Sequence, residues 1–144
     1  MIIIRKMLEK DLSEVERIEQ SCFTSDAWSE SSFVYAMESD ELLSLTAEID
    51  GRVAGYIVVT RIVEASIDSI AVAPEYRRQG VAEKLIRAAL EGFSGDVFLE
   101  VRQSNLAARE LYKKLGFEEI SVRKNYYEKP TENAIIMKTQ LCFD

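Results

Sequence analysis

The segment Asp68-Ser-Ile-Ala-Val-Ala-Pro-Glu-Tyr-Arg77-Arg-Gln-Gly80-Val-Ala82-Glu-Lys-Leu85-Ile86 changes its hydrophobic period halfway along. Residues 67–73 are short, mostly apolar and β-branched, which is the pattern of a strand. Pro74 ends it, because proline cannot donate to a continuing ladder. After a basic turn, Val81, Ala82, Leu85, Ile86, Ala89 and Leu90 share one helical face, with Glu83, Lys84, Arg87 and Glu91 on the other. Gly80 stands where that helix begins. The first-turn N–H groups of a helix lack internal partners, and the peptide dipoles make that end electropositive. Gly80 and Ala82 leave the backbone approachable, and Arg77 and Arg78 add charge. The junction reads either as an anion site suited to a pyrophosphate or as an ordinary turn with solvated arginines.

A nucleotide P-loop needs Gly-x-x-x-x-Gly-Lys-Ser/Thr and a dinucleotide fingerprint needs three spaced glycines, and neither occurs here. The chain of 144 residues, 47% hydrophobic and 30% charged, suits one domain over residues 1–144 with a substantial core. No apolar run reaches the roughly 18 residues of a membrane span. The opening Met-Ile-Ile-Ile-Arg-Lys is too short for a signal peptide, so a cytoplasmic protein is expected. Cys22 and Cys142 are then expected as reduced thiols. Histidine is absent, which excludes a Ser-His-Asp or Cys-His nucleophile and a histidine-ligated metal; no metal cofactor is expected. Any general base is a carboxylate, a tyrosine, a lysine or water. A net charge of −7 gains nothing from counterion release, so no nucleic-acid partner is expected. That charge draws a cationic substrate weakly, or simply serves solubility.

Residues 2–6 read as a strand. Asp11-Leu12-Ser13-Glu14 reads as a capping box opening a helix whose Leu12, Val15, Ile18 and Cys22 face one way. A loop at 24–27 precedes a second helix, with Ser29 as cap and Phe33, Ala36 and Met37 as its apolar face. Leu43, Leu45, Ala47 and Ile49 alternate with polar residues, Asp50-Gly51 marks a hairpin turn, and residues 53–62 return as a third strand. With residues 67–73 these strands form an antiparallel meander. Beyond the central helix come a strand at 96–101 and a helix capped by Ser104-Asn105. Ala107, Ala108, Leu111, Tyr112 and Leu115 line that helix's inner face, and Gly116 stops it. Residues 117–122 and 134–137 are the last strands. The loop between them carries Asn125-Tyr126-Tyr127 and Lys129-Pro130, whose tyrosines form a recognition surface or fold back as packing.

Glu100 interrupts the apolar run at 96–101. In a covered parallel strand, an unpaired ionised carboxylate costs several kcal/mol or stays protonated. Glu100 therefore either serves as a base, pairs with Arg102 or Arg109, or points to solvent at a strand end.

The order of elements, with Arg77 to Ala82 following Val-x-Pro, resembles the GCN5-related N-acetyltransferases, the GNAT superfamily. Four segments are most similar to the RimI-type ribosomal-protein alanine N-acetyltransferases. They are Ala27-Trp28-Ser29-Glu30, Ile70-Ala71-Val72 through Gly80, Leu99-Glu100-Val101-Arg102-x-Ser104-Asn105, and Asn125-Tyr126-Tyr127 with Ala134-Ile135-Ile136-Met137. The last also resembles archaeal and eukaryotic N-terminal acetyltransferases. The resemblance implies a single-domain α/β (α+β) GNAT fold, a mixed sheet of about seven strands flanked by about four helices. It implies acetyl-CoA as co-substrate and a protein N-terminus as acceptor, foremost that of a ribosomal protein. A lysine side chain, polyamine or small amine is the alternative acceptor, and a non-catalytic coenzyme A-binding module the alternative role. A monomer or weak homodimer is expected.

Carried over by position, the resemblance makes Glu100 the general base and Tyr112 the general acid. Ile70, Ala71 and Val72 would hold the acetyl group and pantetheine through their backbone. Arg77, Arg78, Gln79, Gly80, Val81 and Ala82 would cradle the pyrophosphate, and Asn105 would contact the coenzyme. Trp28, Tyr126 and Tyr127 would meet the acceptor. Ala82 replaces a glycine frequent in RimI proteins, and Ala27 replaces a proline before the tryptophan. A carboxylate in an apolar strand has a raised pKa suited to taking the proton of an ammonium.

Overall fold

The computed structural model describes residues 1–23 and 27–141, so most of the loop expected at 24–27, and Cys142, lie outside the described residues. In chain order the elements are β1 (Ile2–Lys6), α1 (Leu12–Cys22), α2 (Glu30–Glu38), β2 (Leu42–Ile49), β3 (Arg52–Arg61) and β4 (Ala65–Val72). There follow α3 (Val81–Ala89), β5 (Gly95–Arg102), α4 (Leu106–Lys114), β6 (Glu118–Tyr127) and β7 (Glu132–Leu141). One seven-stranded sheet takes the order β1-β2-β3-β4-β5-β7-β6. Every pairing is antiparallel except β4 with β5.

Two apolar cores lie on opposite faces of this sheet. Leu45, Ile57, Val59, Leu85, Ile86, Val97, Leu99, Phe117 and Met137 pack under α3 and α4. Val15, Ile18, Phe33, Tyr56, Val58 and Ala71 pack under α1 and α2. β3 is covered on both sides, so its buried residues run on from Val53 to Val59 instead of alternating.

β4 and β5 pair only from Ala65↔Val97 to Ile67↔Leu99. Beyond that point β4 stays with β3 as far as Val72, while β5 stays with β7 as far as Arg102. The sheet therefore opens into a V between two strands, each still held on its outer edge. Backbone polar groups on the two inner edges face that gap.

Three local expectations are corrected. Asp11 is already helical in its backbone (φ −85°, ψ −16°), so its side chain does not cap α1. It accepts instead from Arg5 Nη1 and Nη2 (2.7 and 2.9 Å) and from the Leu8 N–H (2.8 Å), while Glu14 accepts from the Val53 N–H (3.1 Å). Tyr126 and Tyr127 lie within β6, not in a loop, because β7 extends well past residues 134–137 and gives β6 a longer partner. Ala107 is exposed, since the inner face of α4 is set by Tyr112 and Leu111. The Ser29 and Asn105 caps form as expected, accepting from Ser32 N–H and Ala108 N–H.

Burial alone raises the Asp11 carboxyl's pKa, but the Arg5 bonds and then the Leu8 amide outweigh it and hold the group below its ordinary 3.8. The pair's stabilisation is thus complete above that value and lost as pH falls through the lowered one. Asp11→Asn is expected to cost about 3 kcal/mol at pH 7, the scale for breaking a buried pair. Urea unfolding across pH checks this: the gap between wild type and variant should narrow below about pH 4.

Candidate active site

The V-shaped gap is a cleft of about 2210 Å³ that reaches both faces of the sheet. Single-ligand pockets run to roughly 300–1,000 Å³. The cleft has room for two reactants. Of the residues singled out in the sequence, Trp28, Ile70, Ala71, Val72, Arg77, Arg78, Gly80, Val81, Ala82, Glu100, Asn105, Tyr112, Tyr126 and Tyr127 line it, and Gln79 does not.

At one end lies the start of α3. Gly80 caps it in the left-handed region (φ 81°) and, being glycine, offers no side-chain cap to the helix end. A Cβ on Gly80 would meet nothing within 4 Å, so the glycine serves its backbone conformation and leaves the space above it open. The first intrahelical bond runs from Lys84 N–H to Gly80 O (3.1 Å), so the amides of Val81, Ala82 and Glu83 precede the ladder. Arg77 folds back, donating from Nε to Val72 O and from Nη2 to Cys22 Sγ, both at 3.3 Å. That leaves Arg78 and the amides as the anion-facing groups.

β4 supplies the wall. Ala73 N–H donates to Ala54 O (2.8 Å), and Ala71 stands opposite Tyr56 in the same register. By the alternation of an antiparallel ladder, Ala71 also turns its polar groups to β3, whereas Ile70 and Val72 turn theirs into the gap. Gly55 permits this arrangement: a Cβ there would lie 2.8 Å from Ala71 O and 3.3 Å from Val81 Cγ1. The sequence reading missed Gly55, which looks like any strand glycine until β4 and α3 are seen to close on it.

Glu100 is the first β5 residue beyond the last β4 pair. The expected burial is corrected: its side chain is 32% exposed, because β4 has already diverged and no strand covers it. The alternative pairing with Arg102 or Arg109 does not form. Arg102 pairs with Glu132 (3.1 Å) and Arg109 with Glu119 (2.8 Å), while Glu100 faces Arg123 at 3.4 Å. The same carboxylate, set to accept from the Tyr126 hydroxyl, is the largest cause of the upward shift in the Tyr126 pKa. Arg123 also lies over the Tyr126 ring, 5.3 Å from its centroid. Asn125 at φ 53° and a register slip between Arg123 and Tyr127 form the bulge that aims these groups.

Val97, Leu99 and Val101 fill the core under α3 and α4, so Glu100 projects toward the α1/α2 face. Tyr112 comes from the other face. It is buried against Phe117 (centroids 5.9 Å apart), and burial pushes its phenol up to about 12. Glu100 and Tyr112 can share a reactant only through the gap. On the α1/α2 side stand Trp28, packed on Phe33 at 5.2 Å, and the Tyr126–Tyr127 pair at 5.0 Å. Arg102 stacks on Tyr127 at 4.5 Å. Asn105 commits its side-chain oxygen to the α4 cap while lining the cleft.

Glu19 went unnoticed in the sequence, although its spacing from Val15 places both on the inner face of α1; it is 1% exposed and lines the cleft.

A cleft through a split mixed sheet, with bare helix amides at one end and a carboxylate at the other, defines an acyl-transfer enzyme of a known kind. The chain belongs to the acetyltransferase (GNAT) family, whose match covers residues 12–117, and is an acetyl-CoA-dependent N-acetyltransferase. A Bacillus subtilis (strain 168) protein provisionally named a [ribosomal protein bS18]-alanine N-acetyltransferase is 40% identical over 93% of this chain and 92% of its own length. The Escherichia coli (strain K12) [ribosomal protein bS18]-alanine N-acetyltransferase is 35% identical over 95% and 96%. The crystal structure of the Escherichia coli ribosomal-protein-S18-alanine N-acetyltransferase superposes with a TM-score of 0.88 at 32% identity, covering 100% of this chain and 96% of that one.

The site fits acetyl-CoA on its own geometry, through the open space above Gly80 and the inward-turned groups of Ile70 and Val72. Gly80→Val is expected to raise the KM for acetyl-CoA at least tenfold while costing about 1–2 kcal/mol of stability, the penalty of a left-handed non-glycine residue. Steady-state kinetics beside thermal melts separate the two effects.

Proposed function

We propose that this chain is a cytoplasmic enzyme that transfers the acetyl group of acetyl-CoA to the α-amino group of a protein N-terminus, with the N-terminal alanine of ribosomal protein bS18 as its substrate. The observation that carries this reading is the placement of Glu100 on the α1/α2 face, across the gap from the bare end of α3. The named activity of relatives that match nearly end to end supplies the acceptor.

Bound acetyl-CoA supplies an activated acetyl group as its thioester. The amides of Val81 and Ala82, with Arg78, would hold the pyrophosphate, as helix ends hold anions. Ile70 and Val72 present inward-facing N–H groups that orient and polarise a carbonyl laid along β4. The acceptor arrives between Trp28 and Tyr126 as an ammonium. Glu100 accepts its proton, directly or through water, and the freed amine attacks the acyl carbon. As the carbon–sulfur bond breaks, Tyr112 donates its hydroxyl proton to the departing sulfur from the opposite face, and the surplus proton on the acylated nitrogen passes through water to restore the phenol.

Magnitudes favour an α-amine over a lysine as acceptor. At pH 7, deprotonation costs about 1 kcal/mol for an α-ammonium and about 4.6 kcal/mol for a lysine, from their ordinary pKa values. An open carboxylate that already faces Arg123 is a base suited to the smaller task.

The test is a peptide beginning with free alanine and carrying one internal lysine, alongside the same peptide with a blocked N-terminus. Mass spectrometry should find acetyl only on the α-nitrogen of the free peptide; modification of the lysine in both would overturn the reading. Glu100→Gln should lower kcat by roughly 10²-fold or more at unchanged acetyl-CoA affinity, the scale of general base catalysis. Tyr112→Phe should lower kcat about tenfold or more. The shape of its pH profile from 6 to 10 should stay that of the wild type, because a phenol raised to about 12 remains protonated throughout that window.

A further inference from the structure

We infer that Glu19 is a positioning residue: its buried carboxylate fixes the acceptor wall at Trp28 to the strand whose edge faces the acyl group. This rests on the reading that Trp28 meets the acceptor. Glu19 is 1% exposed, among the apolar residues that join α1 to the sheet. Its Oε2 accepts from the Trp28 backbone N–H at 2.8 Å. Its Oε1 accepts from the Tyr56 hydroxyl on β3 and from the Ser69 hydroxyl on β4, the latter at 3.0 Å. Ser69 directly precedes Ile70, whose backbone turns into the gap.

The ring of Trp28 is held by the same scaffold. It packs on Phe33 at 5.2 Å, and Phe33 meets Tyr56 edge-on at 5.3 Å. The amide of Trp28 is thus referred to β3 and β4, and its ring to β3. Stability does not require a charge here, because well-packed apolar residues replace buried ionic groups at little cost or with gain. What an apolar residue cannot do is accept the Trp28 amide. The carboxylate sets where that wall stands relative to the acyl position.

Two substitutions separate this role from the alternatives. Glu19→Gln can keep the network: its oxygen accepts from Trp28 N–H while its amide donates to the two hydroxyls, which accept as well as donate. Glu19→Leu, combined with Tyr56→Phe and Ser69→Ala so that neither of these two hydroxyls is orphaned, fills the space and abolishes the anchor. The triple variant should raise the KM for an N-terminal alanine peptide about tenfold, the scale of losing a charge-assisted hydrogen bond. Its KM for acetyl-CoA and its kcat should stay within about twofold of wild type. Glu19→Gln should stay within about threefold of wild type in every constant.

Trp28 is the sole tryptophan, so acrylamide quenching of fluorescence reads its position without any activity. Quenching should rise in the triple variant and not in Glu19→Gln. An unchanged acceptor KM in the triple variant would overturn the inference, as would equal losses for both substrates, equal damage from glutamine, or unaltered quenching. If wild type ignores the peptide altogether, the acceptor assignment fails, and quenching alone decides the anchoring.

Discussion

Everything in this fold follows from the parting of two parallel strands. β4 and β5 share three residue pairs and then diverge, yet each remains bonded along its outer edge. Two rows of inward-facing backbone groups are left without a strand partner, a costly condition in a closed core. Open to a cleft, they are donors and acceptors aimed at whatever enters. The same divergence uncovers Glu100, frees the start of α3 and leaves a passage between the two faces of the sheet.

On the proposed reading, that passage lets one site serve two substrates of opposite charge. The bare amides and Arg78 lie at the α3 end, suited to an anion. Glu100 and the aromatic walls lie on the α1/α2 face, suited to a cation. On the proposed reading, Coulomb's law would sort the reactants before any chemistry begins, and they would meet in the gap. Arg123 faces Glu100 from the exposed edge strand β6, where an ion pair contributes little and yields readily.

Most of the architecture was legible because the pattern changes are local. The shift from strand to helix period across residues 68–86, the Asp50-Gly51 turn and the caps at Ser29 and Asn105 are each decided within a few residues. Long-range features were not legible. Glu100 was expected to be buried because residues 97–101 look like a covered strand, and only the divergence of β4 exposes it. The Tyr126 bulge depends on how far β7 runs. Glu19 sits at helical spacing from Val15, so its inward direction could be read, but its bonds to Trp28 in the loop before α2 and to Tyr56 and Ser69 on two strands could not. Asp11 resembled a cap until Arg5, from another element, claimed its carboxylate.

The central claim is that the edge of β4 and the first turn of α3 together receive acetyl-CoA. A titration with acetyl-CoA followed by backbone ¹⁵N–¹H NMR tests it most directly. The amides of Ile70, Val72, Val81 and Ala82 should shift most and gain protection from exchange, with β1 and β2 unmoved. Saturable shifts confined to another surface, with these four amides unchanged, would contradict the account.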